Sequence, residues 1–113
     1  MTLPELDRIL SGQFLTDEPP VSAAVTGAYA CDMLSHVMAH AGPGDVWLTI
    51  LNSINVVAVA ELTGCACVVL TEGVAMEPAV LERARERQVT VLSTPLTTFQ
   101  AAGRLAQLLP ERG

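Results

Sequence analysis

The chain has 113 residues, half of them apolar and 16% charged, and it sets twelve acids against six arginines for a net charge of −6. That length supports one domain with a real core, and the acidic balance repels a phosphate backbone, so nucleic-acid binding is not expected. Lysine is absent, which excludes P-loop, Schiff-base and protein-kinase lysine chemistry.

The apolar region INVVAVAELTGCACVVL is interrupted by Asn55, Glu61 and Gly64, whereas a membrane helix needs about 20 predominantly apolar residues. No span is expected. The start, MTLPELDRIL, lacks the basic-then-apolar layout of a secretory signal, and three cysteines at low density suit reduced thiols. A cytoplasmic location is the expectation. The charged fraction falls below the roughly 25% of an average soluble domain, and the surplus of apolar surface points to a partner, most simply a second copy.

In chain order, Thr2 and Glu5 form a capping box that predicts a short helix from about residue 3 to Ser11 or Gly12. GQFLTDEPP reads as an extended piece and a loop, because Pro19 and Pro20 disfavour helix and central strand alike. VSAAVTG, 21–27, is predicted as a strand. Apolar positions 30, 33, 34, 37, 38 and 41 recur at helical spacing before Gly42-Pro43-Gly44, predicting a helix over 30–41.

DVWLTIL, 45–51, is strand-like. VVAVAEL after Asn55 is β-branched, but its length and the strand before it favour a crossover helix. CACVVL, between Gly64 and Gly73, has the pattern of a strand buried on both faces. Pro78 opens a helix through AVLERARER, VTVLS (89–93) is the next strand, and Thr97 with Gln100 caps a last helix whose apolar face is Phe99, Ala102, Ala106 and Leu109. Strands alternating with helices through short loops predict an α/β domain with a mainly parallel sheet flanked by helices. Residues 1–20 read as an N-terminal helix and loop, and 21–113 as the domain proper.

Two sets of residues invite metal or redox chemistry. On an extended strand Cys65 and Cys67 share a face, yet a rise of about 3.3 Å per residue leaves the sulfurs too far apart for one tetrahedral zinc without a kink. His36 and His40 have the i, i+4 spacing of a metal pair, and Cys31 adds a third candidate without a recognisable spacing. The residues favour core thiols and solvated histidines, with Asp32 pairing His36; a metal or redox site is the minority reading. No nucleophile elbow or paired acid is recognisable, so no catalytic residue and no cofactor is expected.

The run VVLTEGVAMEPAVLERARERQVTVLSTPLTTFQAAGRL, with GPGDVWLTI and NSINVVAVAEL before it, resembles the DRTGG domain over about residues 21–108. Thr71, Gly73, Pro95, Thr98 and Phe99 match that pattern, whereas its Asp-Arg turn is Asn52-Ser53 and the first Gly of its Thr-Gly-Gly is Glu72. The resemblance is to small stand-alone members, with a fold similar to the N-terminal domain of HPr kinase, and it implies a regulatory and dimerisation module rather than an enzyme. Elsewhere the family is fused to CBS modules, in phosphotransacetylases and nucleotide-regulated pyrophosphatases.

Ligands of open α/β sheets sit outside the carboxyl ends of the strands, which makes Asn52, Ser53, Asn55, Thr71, Glu72, Gly73 and Thr94 the candidate ligand-binding residues. Backbone N–H groups at Gly73 are expected to face a small polar ligand, a nucleotide or similar metabolite being one option. The function read from the chain is a non-catalytic regulatory domain that forms a homodimer and contacts a protein partner. Tyr29, Met33, Met38 and Trp47 form the expected dimer surface.

Overall fold

The structure is a computed structural model that describes residues 1–110, and the last three positions of the 21–113 segment lie outside the described residues. After a 3-10 turn at Leu3–Glu5 the elements run α1 (Leu6–Ile9), β1 (Gln13–Phe14), β2 (Gly27–Ala30), α2 (Leu34–His40), β3 (Asp45–Thr49) and α3 (Ile54–Thr63). They continue with β4 (Cys67–Leu70), α4 (Pro78–Glu86), β5 (Val91–Ser93) and α5 (Thr98–Ala106). One five-stranded sheet has the order β1-β5-β4-β3-β2. Strands β2 to β5 are parallel, and β1 joins β5 antiparallel through Phe14 and Leu92.

Alternation along the central strands builds two core layers. Trp47, Val68, Leu70 and Val91 face the side covered by α2, α3 and α4, where Val37, Val57 and Ala84 pack. Val46, Leu48, Cys67, Val69 and Leu92 face the other side, which Leu3, Leu6, Leu10, Ala101 and Leu105 cover. The parallel register Trp47↔Val68↔Val91 keeps both sets in line. A parallel pair needs a crossover, which explains why the β-branched run after Ser53 is helical in spite of its propensity. Gly64, at φ 70°, ends α3 in the left-handed region.

Three expectations are corrected. The strand lies at Gly27–Ala30 rather than 21–27, because residues 23–25 bind the N-terminus: Leu3 N donates to Ala23 O at 2.8 Å and Val25 N to Met1 O at 2.9 Å. The helix begins at Leu34 rather than residue 30; Ala30 ends β2, and the Asp32 side chain holds the turn that follows. On α5 the buried positions are Ala101 and Leu105, while Phe99 is 87% exposed. Leu3, Leu6 and Leu10 of the N-terminal segment are core residues, and β1 is a strand of the sheet.

Candidate functional site at the carboxyl ends of the strands

Strands β2 to β5 all point the same way, so their carboxyl ends open onto four neighbouring connections, residues 31–33, 50–53, 71–77 and 94–97. The tightest is Thr71-Glu72-Gly73-Val74, closed by Val74 N to Thr71 O at 3.1 Å. Its central residues have φ of 62° and 69°, the pair of left-handed conformations of a type I′ turn. Gly73 adopts this freely, whereas for Glu72 the same backbone costs on the order of 1–2 kcal/mol.

Side chains and amides lock this turn to α5. The Thr71 hydroxyl meets that of Thr98 at 2.6 Å, and the Glu72 carboxylate accepts the Thr98 N–H at 2.8 Å. That N–H belongs to the first turn of α5, where a carboxylate also meets the positive end of the helix dipole. Glu72 N donates to Leu96 O at 2.8 Å and Gly73 N to Thr94 O at 3.1 Å. The amides expected to face a ligand are therefore spent on the β5–α5 connection.

The remaining candidates divide by burial. Thr94 is buried, its hydroxyl donating to Leu10 O at 2.6 Å and accepting Leu96 N–H at 3.1 Å; it ties β5 to the end of α1 rather than presenting a group to solvent. Asn52 is exposed and donates through Nδ2 to Ala75 O at 2.8 Å, joining the connection after β3 to the one after β4. Ser53 occupies the N-cap position of α3 without a side-chain cap bond, and Asn55 lies exposed in its first turn. A hollow of about 340 Å³ beside the turn is lined by Leu15, Gly73, Val74, Met76, Thr94 and Pro95.

Sequence reading missed Asp32. Its Oδ1 accepts the Thr49 hydroxyl at 2.8 Å and Ile50 N–H at 3.0 Å, which pins the end of β2 to that of β3. The His36 partnership expected for it gives way to this pair; an acid two residues past the end of a short strand was the available signal. Thr98 was legible only as part of a motif, because its contact partner Thr71 is 27 positions away.

The thiols and imidazoles do not converge. Cys65 precedes β4 and packs on the α3 side, while Cys67 is buried on the α5 side, so the shared face expected of them is absent: the chain is not yet extended at Cys65. Burial pushes the Cys65 thiol up to about 11, and burial beside Cys65 pushes Cys67 well above its ordinary range. Both therefore remain neutral thiols at neutral pH, poor nucleophiles and poor ligands. Cys31 accepts Met33 N–H at 3.4 Å. His40 donates from Nδ1 to His36 O at 2.9 Å and stacks on Tyr29 at 5.8 Å between ring centroids. Among the described residues no three His, Cys, Asp or Glu side chains are grouped to hold a metal.

Of the expected dimer surface, Met33 and Met38 are 57% and 53% exposed. Trp47 is wholly buried, with its indole N–H donating to Cys31 O at 2.9 Å, and cannot reach a second copy. Tyr29 is half-buried against the core.

A mostly parallel sheet with helices on both faces and polar side chains gathered at one end defines an α/β domain of the doubly covered kind. The chain belongs to the DRTGG domain family, whose model matches residues 5–108. Among solved structures it is similar to the CBS and DRTGG domains of the regulatory region of Clostridium perfringens pyrophosphatase, crystallised with its activator diadenosine tetraphosphate. The TM-score is 0.75 at 20% identity, over 96% of this chain and 47% of that one. The likeness establishes the fold, and the chain spans about half of that regulatory region. No curated protein matches the chain. No helix among the described residues is long and apolar enough to cross a membrane.

Proposed function

We propose that this chain is a non-catalytic regulatory domain whose working surface is the carboxyl end of the sheet, read by a protein partner and open to a small polar ligand. The observation that carries this reading is the Thr71–Thr98–Glu72 lock. Three of the four strand-end connections are tied to one another by side chains, through Asp32 and Asn52, and Glu72 ties the third to α5. A contact made at one connection would bear on hydrogen bonds shared with its neighbours and with α5, the kind of link that a domain passing on a binding event needs. Membership of a family that also occurs in an enzyme's regulatory region supports it.

As a ligand sensor, the domain would take the ligand over Asn52, Ser53, Asn55 and the Glu72-Gly73 turn, with Thr71 and Thr94 shaping the site from below. Thermal-shift screening against mononucleotides, dinucleotides and common cofactors tests this arm. A rise in melting temperature that disappears in Asn52→Ala supports it, and a flat response from folded protein across the set removes it. Self-association is the other arm, through Met38 on α2, without Trp47 and without Met33, which stands at the strand ends as the N-cap of α2. A sedimentation run in which the wild type is dimeric and Met38→Glu is a folded monomer supports that surface.

A further inference from the structure

Eight large apolar side chains are exposed among the described residues, and four of them stand at the carboxyl end of the sheet: Met33 (57%), Ile50 (43%), Ile54 (47%) and Phe99 (87%). For Phe99 and Ile50 this follows from the local geometry. Thr98 turns inward to meet Thr71, so Phe99, about 100° further round a helix of 3.6 residues per turn, is driven outward. Asp32 holds Ile50 N–H from the strand side, leaving Ile50 at the mouth, and Met33 follows Asp32 in sequence. The contacts Asp32–Thr49, Thr49–Thr71 and Thr71–Thr98 run unbroken across β2, β3, β4 and the start of α5. At about 4.8 Å between strands, the ends of β2 and β4 are roughly 10 Å apart, the diameter of one helix with its side chains.

The formal side-chain charge of the strand-end connections has one sign. The four strand-end connections contain Asp32, Glu72 and Glu77 and no arginine or histidine. Arg83, Arg85 and Arg87 lie on the second half of α4 or just past it, toward the opposite end of the sheet. Asp32 and Glu72 are exposed and hold their N–H donors through one oxygen each. Exposed apolar side chains among carboxylates attract a segment that combines apolar and cationic side chains, and they repel an acidic one.

We infer that this face is a docking surface for a basic, amphipathic protein segment, seated on Phe99, Ile50 and Met33 and attracted by Glu72 and Asp32. The inference rests on the regulatory reading above and names its partner's chemistry. The acidic charge of the chain, −6 in all, opposes a second copy at this face, where like charges would meet.

The test uses the full chain, labelled with nitrogen-15, and a synthetic Leu/Lys peptide of about 14 residues, four turns of helix. Its Leu/Glu counterpart serves as control. The Leu/Lys peptide is expected to move the amides of Met33, Ile50, Glu72 and Phe99, with affinity falling at least about tenfold in Phe99→Ser and weakening with added salt. Leu62→Ser, at an exposed apolar position on the last turn of α3 (72%), should leave the affinity unchanged. Shifts centred on another surface, indifference to Phe99→Ser, or equal binding of the acidic peptide would overturn the inference. So would a dimeric protein that Phe99→Ser converts to monomer, since the face would then belong to a second copy. If nucleotides move the strand-end amides while the basic peptide does not, the inference falls and the ligand-sensing reading stands.

Discussion

The hydroxyls of Thr71 and Thr98 meet at 2.6 Å, joining the end of β4 to the first turn of α5 in a position where Thr71 has no exposure to solvent. Thr98→Val leaves the buried Thr71 hydroxyl without that partner, at a cost of about 1–3 kcal/mol. The double variant Thr71→Val/Thr98→Val removes both groups and should cost less than the two single changes added together, by about 0.5 kcal/mol or more. Urea unfolding of the four proteins gives the coupling directly, and strict additivity would show that the pair is not a bond in solution.

Glu72 holds a left-handed backbone and caps α5 with its carboxylate. Glu72→Ala keeps the unfavourable conformation and loses the cap, whereas Glu72→Gly loses the cap but relieves the backbone. The glycine variant should therefore be more stable than the alanine variant by about 1 kcal/mol, with the wild type near the glycine variant. An alanine variant as stable as the glycine variant would mean that the turn is not left-handed at this position.

Trp47, the only tryptophan, is buried at the centre of the sheet and its N–H is bonded to Cys31 O. Its fluorescence should be blue-shifted, protected from acrylamide and unaffected by protein concentration. Trp47→Phe removes the donor from a half-buried carbonyl and should destabilise the fold by about 1–3 kcal/mol. Strong quenching in the folded protein would contradict this placement.

Alkaline pH acts through the thiols. A group whose folded pKa lies above its unfolded value binds more protons in the native state between the two, so its stabilisation is whole below the unfolded value and fades above it. For Cys65 that window runs from 9.0 to about 11, and Cys67 extends the loss in the same direction. The wild type should lose more stability on going from about pH 8 to about pH 10.5 than Cys65→Ala does. Equal losses would remove Cys65 as a cause.

Much of the order of elements was legible because it depends on local chemistry. Gly42-Pro43-Gly44 ends a helix wherever it occurs, Pro78 opens one, and Thr97 with Gln100 forms the reciprocal cap seen at 3.1 and 2.9 Å. Register and face were less legible. Ala30 and Met33 fit a helical stripe by spacing, yet Ala30 belongs to β2 because its backbone pairs with Leu48. Phe99 was assigned to the buried face of α5 on hydrophobicity, and an inward Thr98 reverses that through a hydroxyl partner far away in sequence. The family's motif positions brought Asn52, Thr71, Glu72 and Thr98 into view, but their mutual bonds depend on how three connections fold over one another.

The most direct test of the strand-end account is an amide-shift titration of the labelled full chain with whichever mononucleotide, dinucleotide or cofactor raises its melting temperature. The account predicts shifts confined to residues 31–33, 49–55, 71–76 and 94–106, reaching along α5 when ligand is bound and lost in Asn52→Ala. Shifts centred instead on the apolar groove between β2 and α5, lined by Ala28, Ala30, Leu105 and Leu109, with the strand ends unmoved, would contradict it.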